Sequence, residues 1–259
     1  MIIAIPQIQI FFFILARIAG LFIQAPVLSS RSIPMLAKTA LAVWIAIILW
    51  FIVPVKIELI PQTMMEFFSL LIVEVALGFT IGFTCNLFFL AAQSAGQFID
   101  LQMGLSVSQS FDPIFGAAIS IMEKLMLMLV LVIFLIANGH HLLLAVIQKS
   151  FELIPTPAVI NFASPSFVSE MMGLGKSLLS ISLQLAMPII LVIFIIDFCF
   201  GIVSRVAPQV NVFMLGFQLK PPLGLLTMLF ILPILIKRIA SLLGIMGEEM
   251  IKLISALRI

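Results

Sequence analysis

FFSLLIVEVALGFTIGFTCNLFFLAA, residues 67–92, is a run of 26 residues in which Glu74 is the single charged side chain. A bilayer crossing needs about 20 predominantly apolar residues. This stretch exceeds that length, so it reads as a helix whose solvent is lipid or other protein. The composition around it agrees. The chain of 259 residues is 63% hydrophobic and 9% charged, against about 25% charge in ordinary soluble domains. It holds 24 Phe, two Trp (Trp44 and Trp50) and no Tyr. An aromatic belt of the usual Trp and Tyr kind at the lipid interface is therefore missing, and part of the surface is expected to face protein where lipid would be the default.

Working outward, five further helical segments are predicted on the same grounds: Ile8–Ala25, broken by Arg17; Thr39–Val55; Leu125–Ala137, with a continuation past His140 and His141; Leu178–Ile196, running on toward Val203 past Asp197; and a short Leu223–Ile236 that carries Pro233. Beyond it, residues 239–259 read as an amphipathic helix from their apolar spacing. Prolines punctuate the early connections, and Phe151–Ser169, with Pro155, Pro157 and Pro165, is predicted as an extended polar excursion. No composition shift marks a second domain, so residues 1–259 are expected to form one integral membrane domain. No basic residue precedes the first apolar stretch, so that stretch is expected to be retained rather than cleaved. Basic residues divide almost evenly between the two sides of a six-crossing layout, with a slight weight for a cytoplasmic C-terminus.

Several function classes lack their residues. Net charge is +2 and the basic residues are scattered, which argues against nucleic acid. Cys85 and Cys199 lie inside apolar segments and make no disulfide framework, and no metal-ligand spacing is present. Adjacent His140 and His141 do not chelate one metal easily from a helix. No HExxH, GxSxG or phosphate-cradling glycine loop occurs, so neither an enzyme nor a cofactor is expected.

Three ionisable residues stand in apolar surroundings: Arg17, Glu74 and Asp197. A charge at mid-bilayer costs roughly 2.5–3.5 kcal/mol on insertion scales, so each must find a partner or a wet cavity. They either pair with each other or a neighbouring subunit, or snorkel, or line an ion path. Gly78 and Gly82 form a small-xxx-small pair that lets two helices approach closely, within the chain or across a subunit boundary.

The polar connection AGQFIDLQMGLSVSQSFDPIF, residues 95–115, is the sharpest feature. Polar Asp100, Gln102, Ser106, Ser108, Gln109, Ser110 and Asp112 interleave with apolar Met103, Leu105, Val107 and Phe111. Gly96, Gly104 and Gly116 supply hinges, and Pro113 stops whatever precedes it. Two readings stand open: a segment that folds into a pore and seals it by dewetting, or a surface loop. A second constellation, RVAPQVNVFMLGFQLK at 205–220, offers Arg205, Pro208, Gln209, Asn211 and Lys220 as partner contacts, or as a turn between two spans.

AGQFIDLQMGLSVSQSFDP at 95–113 and RVAPQVNVFMLGFQLKPPLG at 205–224, together with FFFILARIAGLFIQAPVLSSRSIPMLAK at 11–38, carry a resemblance that covers essentially the whole chain. It resembles the FliR/SctT family of export-gate subunits in flagellar and virulence type III secretion. The resemblance implies an all-α membrane protein of bent helical hairpins in a hetero-oligomeric helical gate of the bacterial inner membrane and flagellar basal body. FliP-type and FliQ-type partners are implied, with an FlhB-type subunit at the cytoplasmic entrance and unfolded export substrates in transit. It implies that the segment Gly104–Gly116 is the plug, and it favours the flagellar system over the virulence one. The rival reading is a small-solute or ion transporter using Glu74 and Asp197.

Overall fold

The computed structural model describes residues 5–30, 33–53, 61–105 and 120–258. Among them lie seven helices: α1 (Ile5–Gln24), α2 (Met35–Trp50), α3 (Met64–Met103), α4 (Ile121–Ile136), α5 (Gly139–Leu153), α6 (Pro165–Val206) and α7 (Val212–Ala256). The described residues contain no strand, only an isolated bridge between Ile160 and Arg258. The protein is all-α, as the resemblance implies.

Four helices, α1, α3, α6 and α7, are long and apolar enough to cross a membrane, and the pair α4–α5, bent by 70°, makes a fifth candidate. The structure departs from the six-segment expectation in several places. α2 has 16 residues, about 24 Å at 1.5 Å per residue, short of the ~30 Å hydrocarbon core. The predicted sixth segment and the separate amphipathic tail are one 45-residue helix, α7, which runs through Pro221, Pro222 and Pro233. Proline is tolerated inside a membrane helix where neighbouring helices, Ser/Thr side chains, ordered waters or local adjustments re-satisfy the freed backbone groups. The predicted polar loop begins late, because residues 95–103 are the last turns of α3. Ala92, Ala95, Ile99 and Met103 are buried there at helical spacing, and that spacing outweighs the polar residues between them. The excursion after α5 also narrows, to residues 154–164, with Pro165 at the first position of α6, where its missing N–H is harmless.

Backbone contacts divide the chain into two compact units. The first comprises Met1–Phe88, Leu135–Gly175 and Leu243–Ile259. Its core gathers Phe13, Ile14, Ile18 and Leu21 of α1, Leu77 and Ile81 of α3, Val146, Ile147 and Phe151 of α5, and Met246 and Met250 of α7. α1 and α3 touch backbone to backbone. A Cβ at Gly78 would lie 1.8 Å from the Arg17 carbonyl oxygen, one at Gly20 2.1 Å from that of Val75, and one at Gly82 2.7 Å from that of Leu21. Of the two readings of the Gly78–Gly82 pair, the contact within the chain is the one observed.

The second unit comprises Phe89–Phe134 and Lys176–Leu242. The end of α3 packs on α4, with Phe89 and Phe134 edge to face at 5.4 Å. Gly96 lets the α4 N-terminus approach to where a Cβ would meet the Glu123 backbone at 2.5 Å. α4 then stops at a turn in which Asn138 takes the left-handed conformation, φ 57°. That single residue turns the expected continuation past His140 and His141 into a new helix direction.

Candidate functional site

Two constellations emerge, one in each unit. In the first, Arg17 and Glu74 are fully buried and bonded to each other: Arg17 Nε donates to Glu74 Oε2 at 2.7 Å. Arg17 Nη1 donates to Ser150 Oγ at 3.2 Å and to the Ile154 carbonyl at 3.1 Å. The guanidinium lies 4.0 Å over the Phe151 ring, a cation–π contact. The other carboxylate oxygen, Glu74 Oε1, accepts the Ala158 N–H at 2.9 Å. One ion pair thus ties α1, α3, α5 and the 154–158 connection together. A buried pair needs further hydrogen bonds for its remaining donors and acceptors; Ser150, Ile154 and Ala158 supply three, while Arg17 Nη2 has no partner among the described residues. Sequence reasoning found the two charges and missed these three, since no spacing rule links residues so far apart in the chain.

In the second unit, α3 ends where the mid-chain polar segment begins. Gly104 has φ 78°, a conformation that costs other L-residues roughly 1–2 kcal/mol. The Phe217 ring lies 3.1 Å from where a Cβ on Gly104 would sit. Met103 is fully buried and fills the hollow left by Gly224 of α7, where a Cβ would meet its terminal carbon at 2.1 Å. An open cavity of about 490 Å³ lies here, lined by Gln102, Met103, Gly104, Asp197, Phe217 and Lys220 among others. Asp197 on α6 pairs with Lys220 on α7 at 2.6 Å. All three isolated charges of the sequence therefore have counter-charges or partners: Arg17 with Glu74, and Asp197 with Lys220.

Asp100, one turn before Met103, is fully buried. Its carboxylate accepts the Ser120 hydroxyl and the Met122 N–H, the latter at 3.2 Å. Ser120 Oγ in turn accepts the Glu123 N–H at 3.1 Å. Ser120 and Glu123 stand in S-x-x-E spacing, a helix-start signature the sequence reading passed over. Gln97 donates to Glu123 at 2.9 Å, so two successive turns of α3 grip the first turn of α4.

Of the plug residues read from the sequence, Met103, Gly104 and Leu105 are seen. Ser106, Val107, Ser108, Gln109, Ser110, Phe111, Asp112, Pro113 and Gly116 lie outside the described residues. In the second constellation the structure makes a turn: α6 ends at Val206 with Arg205 in its last turn, and Pro208 and Gln209 are exposed. Asn211 is employed locally, its side-chain oxygen accepting the Met214 N–H at 3.2 Å to cap α7. His140 and His141 are exposed at the α4–α5 bend with ring centroids 4.3 Å apart. Among the described residues no three His, Cys, Asp or Glu side chains gather as for a metal.

Long apolar helices with paired internal charges, close glycine crossings and a polar mid-chain segment define an integral membrane protein of the all-α class. The chain belongs to the bacterial export proteins, family 1, whose family model covers residues 8–246. It is 30% identical to the flagellar biosynthetic protein FliR of Escherichia coli K12 over 88% of this chain and 86% of that one. It is 27% identical to the FliR of Bacillus subtilis 168, over 95% and 94%. The secretion system apparatus protein SsaT of Salmonella typhimurium matches at 29% over 62% of this chain. The protein is a subunit of the flagellar type III export gate in the bacterial inner membrane.

Proposed function

We propose that this chain forms part of the wall of the export channel and carries its plug, and that it performs no covalent chemistry. Residues 1–259 act as one export-gate domain. Leu105, Val107 and Phe111 make the apolar seal, Met103 anchors its α3 end in the hollow at Gly224, and Gly104 and Gly116 let the segment beyond that anchor shift when unfolded substrate passes. Opening requires a partner or ligand that binds the open state better than the closed one. One observation carries this reading: the polar, glycine-bearing segment leaves α3 at a left-handed glycine beside an open cavity.

FliP-type and FliQ-type subunits are the proposed neighbours, with an FlhB-type subunit at the cytoplasmic entrance. Gly96, Asp100 and Gln102 near the plug, Arg205, Pro208, Gln209 and Asn211 at the α6–α7 turn, and Lys220 within α7 are the positions proposed to lie near those interfaces. Support comes from how little the later helices bury. Only 17% of the most apolar window of α6 and 28% of that of α7 is buried within the chain, against 44% for α1. The transporter reading is weakened because both of its carboxylates, Glu74 and Asp197, already hold cations.

The deciding experiment shortens Gly104–Gly116 in the complete gate and records ion conductance and assembly. A gate without its plug conducts in the absence of substrate. A carrier stops working without leaking, and a purely structural subunit fails to assemble and never leaks.

A further inference from the structure

We propose that Asp100 is a positioning residue of the gate. From the last turns of α3 it clamps the first turn of α4, and so sets the point at which the chain returns from the mid-chain segment. The inference rests on the plug reading above and deepens it.

A fully buried carboxylate needs compensation, and among the described residues no cation pairs with Asp100. Its compensation is the start of a helix. The Met122 N–H and the Ser120 hydroxyl both point at it, and the first N–H groups of any helix lack intrahelical partners. The helix dipole adds a partial positive charge at the same place. Asp100 therefore stabilises only an α4 that begins at this position, facing this turn of α3. Gly96, one turn earlier, removes the side chain that would keep the two backbones apart.

The departing end is held independently. Met103 sits in the hollow at Gly224, and Gly104 turns against Phe217. Exit and return are thus fixed by side chains within one turn of each other on α3. An ordinary helix cap serves its own helix from the residue just before it. Here that task already belongs to Ser120, which accepts the Glu123 N–H. The reach of Asp100 from another helix is an additional bond, and what it contributes is placement.

The test uses the complete gate, assembled with its partner subunits, purified and placed in planar bilayers, with ion conductance and assembly yield both recorded. Asp100→Ala removes the carboxylate and is expected to raise resting conductance roughly tenfold at unchanged assembly, about the bias lost with one charge-assisted hydrogen bond. Asp100→Asn keeps an acceptor oxygen and should return most of the tightness. Ser120→Ala removes one of the bonds and should leak less than Asp100→Ala. A well-assembled, tight Asp100→Ala gate overturns the proposal. Should that variant fail to assemble, Ser120→Ala decides: leaking supports the clamp, and tightness or lost assembly overturns it. The shortened-loop gate is measured alongside. If it stays tight, the plug reading fails on its own account. If it leaks while the point variants stay tight, only the clamp fails.

Discussion

Arg17 and Glu74 show what one residue pair does in a core this apolar. Each pairs with the other, and three further groups hydrogen-bond to them, with Arg17 Nη2 left unpartnered among the described residues. Removing one partner strands a buried charge, which typically costs about 3–5 kcal/mol. Arg17→Met and Glu74→Gln should therefore each lower the thermal midpoint of the purified protein sharply in detergent. Replacing both by apolar residues should harm it less than either alone. Midpoints equal to the parent for the single variants would show that the pair is not closed as described. Asp197 and Lys220 make the opposite case. They are 37% and 21% exposed, so their coupling in a double-mutant cycle should be no more than ~1 kcal/mol. A coupling several times larger would mean that the pair is sealed from solvent in the assembled gate.

Helices differ in what their glycines are for. On α3, Gly78 sits where a side chain would run into the α1 backbone. Gly78→Ala should push the two helices apart and destabilise the protein by about 1–3 kcal/mol, read as a fall in thermal midpoint. On α6, Gly175 has open space around it within the chain. Gly175→Ala should stabilise the isolated subunit by about 0.5–1 kcal/mol through helix propensity. If the same substitution lowers the yield of assembled gate, Gly175 lies against a partner helix. This pair of variants separates crossings made inside the chain from crossings made between chains. The sequence offered the small-xxx-small spacing on α3 but no means of telling the two apart, because both use the same residues for the same close approach.

At the scale of the whole molecule, most of the surface of α6 and α7 is apolar and uncovered. Such faces are suited to lipid or to neighbouring helices. Anything that binds the folded state alone stabilises it by mass action. Co-purification with FliP-type and FliQ-type subunits should accordingly raise the thermal midpoint of this chain well above that of the chain alone in detergent. An unchanged midpoint in a demonstrably assembled complex would argue that these faces meet lipid.

The all-α membrane class, the three charges that had to be paired and the polar mid-chain segment were legible in residue order. Each follows from a local cause: run length against bilayer thickness, the cost of a charge in an apolar setting, and the conformational freedom of glycine. Family membership was legible too, through the stretches at 11–38, 95–113 and 205–224. Tertiary structure alone decided who pairs with whom. Arg17 meets Glu74 and Ser150, Asp197 meets Lys220, and Asp100 meets Ser120 and Met122, all across helices. It also decided that α3 runs on through residues 95–103 and that α7 runs through three prolines. The reason is common to all of these. In a chain so rich in apolar residues, periodicity and breakers carry little contrast, and the choice passes to contacts between segments distant in sequence.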